Sequence, residues 1–162
     1  MPRTTAPIRR ALRLALISVA AVVVIGCGAL TTTPPAPTPA DFPGLAGVLA
    51  QNGILVTDFV SGDAGCDDPT LAPTAIRFEM TGFEVSQPTL ARVYIFRNRE
   101  AYERRRADVD TCALAWAGAQ GDPTTIETVE ASPYVIVGTG PWPAEFKRAL
   151  RNSVIEAAGT GG

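Results

Sequence analysis

Residues 75–97 read AIRFEMTGFEVSQPTLARVYIFR. Ile76, Phe78 and Met80 alternate with Arg77 and Glu79, the period-two pattern of a strand with one apolar and one polar face. Leu90 to Arg97 forms a second strand around the run Val93-Tyr94-Ile95-Phe96. Upstream, Ile54 to Val60 reads as another strand, rich in β-branched residues. Before it, Leu45, Val48 and Leu49 fall at i, i+3 and i+4 and mark a short helix closed by Asn52-Gly53. Downstream, Asn98 caps a helix that starts Arg99-Glu100-Ala101-Tyr102 and runs to Trp116, with Gly118, Gly121 and Pro123 as its stop. Thr125 to Val129 and Tyr134 to Val137 are two further strands, parted by a turn at Ser132-Pro133. A last helix begins near Pro143 and carries Phe146, Leu150, Val154 and Ile155 on one stripe.

That order predicts a single α+β domain over residues 44–158: a mostly antiparallel sheet of about five strands with two to three helices packed on one face. The ββαββα part is a circular rearrangement of the ferredoxin-like order. Residues 159–162 form a Gly-rich tail. The chain has 162 residues, 46 % apolar and 19 % charged, which is room for one core and too hydrophobic for intrinsic disorder.

The N-terminus has the composition of an export signal. Arg3, Arg9, Arg10 and Arg13 precede an apolar run from Leu14 to Ile25 broken only by Ser18, shorter than the ~20 residues a spanning helix needs. The run ends Val24-Ile25-Gly26-Cys27. This segment resembles the bacterial lipobox, and residues 1–26 resemble a lipoprotein signal peptide. The resemblance implies a diacylglycerol thioether on Cys27, cleavage after Gly26 and attachment to a membrane of the cell envelope. An uncleaved anchor helix over Leu14 to Leu30 is the alternative. Residues 27–43 then form a tether whose Thr31 to Pro39 stretch holds four prolines in six positions, excluding helix and central strand. In polyproline II form it spans roughly 50 Å and holds the domain off the bilayer. The domain also has a loose likeness, in helix–strand order alone, to small lipoprotein domains of unknown function.

Charge separates at the same boundary. From Cys27 onward there are ten basic and sixteen acidic residues, a net charge of −6, so nucleic acid is not an expected partner. With Cys27 carrying lipid, Cys66 and Cys112 remain as an even pair, expected to form a disulfide in an oxidising compartment. Such a bond closes a loop of roughly 47 residues and stabilises the fold by at most about 4 kcal/mol in the chain-entropy model.

Chemistry has few residues to work with. There is no histidine, Lys147 is the only lysine, and no serine lies in a nucleophile motif, so no catalytic residue, cofactor or metal is expected. Three stretches remain as candidates for contact with a ligand or partner. Asp63, Asp67 and Asp68 crowd a loop whose oxygen atoms would suit a weak calcium site, or simply a solvated turn. Trp142, between Pro141 and Pro143, is either a lid on the core or a recognition aromatic. Arg97, Arg99, Arg104, Arg105 and Arg106 make either a salt-bridged helix face or a basic patch. The chain therefore reads as a lipid-anchored, non-catalytic module that binds a protein or small ligand; the alternative is a structural or assembly factor of an envelope complex.

Overall fold

The computed structural model describes residues 42–119 and 125–159. The expected signal peptide, Cys27, the expected tether up to residue 41, the helix stop at Gly121-Pro123 and most of the Gly-rich tail lie outside them. The elements run α1 (Phe42–Gln51), β1 (Leu55–Ser61), a short 3-10 turn (Ala72–Thr74), β2 (Ala75–Gly82), β3 (Val85–Ile95), α2 (Arg99–Ala119), β4 (Ile126–Ala131), β5 (Tyr134–Thr139) and α3 (Ala144–Ala158). The five strands form one sheet in the order β1-β2-β3-β5-β4, antiparallel at every junction. Within it, β2-β3-β5-β4 is the order a circular rearrangement of the ferredoxin-like unit gives, and β1 extends one edge.

The strand run on β3 decides the layering. Val93 belongs to one buried cluster, with Phe78, Met80 and Ile136 from neighbouring strands and Leu45, Leu49, Phe146, Leu150 and Val154 from α1 and α3. Tyr94 and Phe96 point the other way, into a cluster with Val135, Val137 and the α2 residues Val109, Cys112, Ala113 and Trp116. Two helices therefore share one face, as expected, and the third covers the opposite face. The molecule has three layers because the central strands are apolar on both sides, and a sheet with two apolar faces needs cover on each.

Local chemistry fixes the element ends. The Asn98 side chain accepts the Ala101 N–H at 2.8 Å and starts α2, which continues through Gly118. Asn52 donates its side-chain amide to Val48 O at 3.0 Å, and Gly53 turns the chain out of α1 with φ 79°. Strand β3 begins at Val85, five residues before the start at Leu90 that the sequence suggests, and runs through Pro88. Pro88 is tolerated because β5 pairs with β3 only from Ala91 onward, which leaves that part of β3 on the border of a two-stranded ribbon. The Ser132–Pro133 and Gly140–Pro141 peptide bonds are cis.

Candidate functional site

Asp63 and Asp68, two of the three loop aspartates, are taken up by arginines. Asp63 Oδ1 accepts Arg92 Nε and Nη2 at 3.1 and 3.0 Å, and Asp63 Oδ2 lies 3.2 Å from Arg77 Nε. Arg92, on β3, is only 6 % exposed, and its guanidinium stacks 4.5 Å from the centre of the Trp116 ring on α2. The loop closes around it. Gly65, at φ +79°, leaves so little room that a Cβ there would sit 2.7 Å from Arg92 Nε. Tyr94 donates its hydroxyl to Ala64 O at 2.7 Å, and burial pushes the phenol up to about 12. Arg92 Nη1 and the Trp116 indole N–H have no acceptor among the described residues. Asp63 is thus the counterion of a buried cation.

Asp68 starts the next turn. Its Oδ1 accepts the Thr70 hydroxyl at 2.6 Å and the backbone N–H groups of Thr70 and Leu71 at 2.8 and 3.1 Å, and Arg105 lies 3.1 Å from Oδ2. Its carboxyl is held below the usual range, chiefly by the Thr70 hydroxyl bond. Asp67 is exposed. Among the described residues no three Asp, Glu or Cys side chains are placed to share a metal ion. Cys66 and Cys112 are joined as a disulfide, Cα–Cα 5.3 Å, tying this loop to α2.

Trp142 lies in the core at 6 % exposure. Its indole N–H donates to Thr139 O at 2.8 Å and its ring meets Phe146 edge-on at 6.0 Å. The ring rests against Gly138, where a Cβ would come within 2.6 Å of it, so a glycine in β5 makes the space for the lid. The basic cluster on α2 is spent on ion pairs: Arg99 with Glu103, Arg104 with Glu100, Arg105 with Asp108, and Arg106 with Asp110 and Glu130. Lys147 pairs with Glu127.

The surface that stands out was not among the sequence candidates. Of the six large apolar residues exposed among the described residues, Leu55, Phe59 and Val60 lie on β1 and Phe83 lies in the adjoining β2–β3 turn. Phe59 is 64 % exposed, Leu55 59 % and Phe83 55 %. They follow the outer edge of the sheet, where β1 has a partner on one side only. Phe42, the first described residue, places its ring 5.7 Å from that of Phe59. Strand β1 is interrupted at Asp58, with φ 51°, and its register to β2 shifts between Thr57 and Val60. The alternation in Ile54 to Val60 signalled a strand. Its edge position depends on sheet order, which alternation does not encode. The opposite edge, β4, carries Glu127 and Glu130, each held in an ion pair.

Comparison of the chain with protein-family models, with curated proteins and with solved structures returns no significant match.

Proposed function

We propose that this chain is an exported lipoprotein, anchored through Cys27, whose domain is a non-catalytic module docking a protein partner along the β1 edge. The observation that carries the docking role is the concentration of Leu55, Phe59, Val60 and Phe83 on one edge. Aromatic and aliphatic side chains rimmed by polar residues are the usual centre of a protein interface. The break at Asp58 argues against simple strand addition, since a bulge interrupts the ladder a further strand would need. A partner would therefore receive side chains rather than extend the sheet. Phe42, where the described residues begin, lies beside Phe59, so a tether from Cys27 would reach the domain near this edge.

Export is supported by the three-part N-terminus and by the Cys66–Cys112 bond, a linkage that persists in oxidising compartments. A non-catalytic role is supported by the lack of histidine and by the engagement of Lys147 with Glu127. Of the two binding readings, a protein partner fits better than a small ligand, because Trp142 is sealed into the core and Asp63 and Asp68 are occupied by arginines.

Two measurements test this. The intact mass of protein taken from its native envelope should match residues 27–162 plus a diacylglyceryl group; a lipid-free mass of the full chain would leave an uncleaved anchor instead. A photoreactive residue at position 59 should cross-link one envelope protein, and Leu55→Asp should abolish the product. The same residue at Arg151, exposed on α3, should yield none. Equal yield at both positions, or cross-linking to a second copy of the chain, would overturn the envelope-partner reading.

A further inference from the structure

The Cys66–Cys112 bond is not sealed away. Above it lies an open cleft of about 270 Å³, lined by both cysteines, Asp67, Asp68, Asp108 and Thr111. Cys112 is buried at the base, on α2, whereas Cys66 is half-buried on the loop side. Of the two cysteines that line the cleft, Cys66 is therefore the more accessible residue. Among the described residues the charged groups around the cleft are three carboxylates and one guanidinium, Arg105, which is shared between Asp68 at 3.1 Å and Asp108 at 2.9 Å. Thr111 is neutral, and the Arg77, Arg92 and Asp63 cluster pairs within itself on the sheet side of the loop. The entrance thus carries a net charge of −2.

From this geometry we infer that the cleft is a charge-selective thiol-exchange site: at Cys66 it favours thiols that carry a positive group over neutral ones, and neutral ones over anionic ones. Exchange begins when a thiolate attacks the Cys66 sulfur. A new S–S bond forms between reagent and Cys66, the Cys66–Cys112 bond breaks, and its electron pair leaves on the Cys112 sulfur, which takes a proton from water. A second thiol then attacks the mixed disulfide, releasing both cysteines reduced and the reagent as its own disulfide. The reagent is the only reductant required. The attacking group is itself an anion, so the carboxylates slow every thiol. A reagent that also carries an ammonium group offsets that repulsion, and one that carries a sulfonate adds to it. At low salt two net charges at a distance of roughly 7 Å change the rate by about sixfold per unit of reagent charge, so the ammonium and sulfonate reagents differ by about thirtyfold.

The test uses the full-length oxidised protein and three small thiols: cysteamine, 2-mercaptoethanol and 2-mercaptoethanesulfonate. Each rate of reduction, followed by intact mass, is divided by the rate of the same reagent on an uncharged small-molecule disulfide. The expected result is a cysteamine-to-sulfonate ratio of about thirty at low ionic strength, falling toward one in 0.5 M salt. Asp67→Asn, an exposed position with no ion pair to lose, should lower the ratio at low salt and leave the fold intact. Peptide mapping after acid quench should find the first mixed disulfide on Cys66. A ratio near one at low salt, a ratio unaffected by salt or by Asp67→Asn, or a first adduct on Cys112 would each overturn the inference.

Discussion

Arg92 is the residue on which the second core depends, and it is an unusual thing to bury. A guanidinium at 6 % exposure must be matched by a counterion and a polarisable surface, and Asp63 and Trp116 supply them. Two variants separate this role from ordinary surface pairing. Asp63→Ala leaves Arg92 buried without its counterion and should lower stability in urea denaturation by about 3 kcal/mol. Arg77→Ala removes the more exposed partner of the same carboxylate and should cost about 1 kcal/mol or less. Equal losses would show that Asp63 serves both arginines alike. The neighbouring Tyr94 makes the fold sensitive to alkali. Its phenol titrates near 10 when unfolded and at about 12 when folded, so the native state keeps a proton that the unfolded state releases. Stability from this group is complete below pH 10 and is lost as the pH rises from 10 to 12. Denaturation midpoints at pH 9 and pH 11.5 should fall accordingly, and Tyr94→Phe should flatten that fall even though it loses the bond to Ala64.

At the level of elements, helix α2 is held at its start by a side chain and along its length by tertiary contacts. Asn98→Ala removes the acceptor of the Ala101 N–H and should destabilise the protein by about 1 kcal/mol, read by denaturation. Each of the eight helices and strands was legible in the sequence, because periodicity and cap residues are local signals. Three things were not. The layering escaped because the α2 stripe Val109, Cys112, Ala113, Trp116 says that the helix has a buried face, not which side of a sheet receives it. The extension of β3 through Pro88 escaped because a proline ordinarily argues against a strand, and only the shorter reach of β5 makes it harmless. The apolar edge escaped because Phe59 and Leu55 look like core residues until strand order puts β1 at the rim. Of the candidate residues, the sequence identified the loop aspartates and Trp142 as notable. Their partners are distant in the chain, Arg92 being 29 residues from Asp63, and no local pattern announces them.

For the whole molecule, the disulfide closes residues 66 to 112 into a loop that includes β2, β3 and the first two thirds of α2. Replacing both cysteines by serine should lower the stability by about 3–4 kcal/mol in the chain-entropy model, measured against the oxidised parent. The two faces of the sheet are therefore secured differently. The α2 face is cross-linked, while the opposite face is closed by the first and last helices, which lie against each other and share the Asn52–Glu156 hydrogen bond at 3.1 Å. This difference becomes mechanical when the chain is pulled by its ends. A load applied from the N-terminal side arrives at Phe42, on α1, and never reaches the covalent loop until α1 and α3 have been stripped from the sheet. The ends should act as a pair of zips that yield early and one helix at a time, with the stapled half as a stop behind them. In an optical trap the first rips should be unchanged by reduction. The final extension should lengthen by roughly 150 Å, the reach of the 46-residue span that the bond had kept out of the line of force.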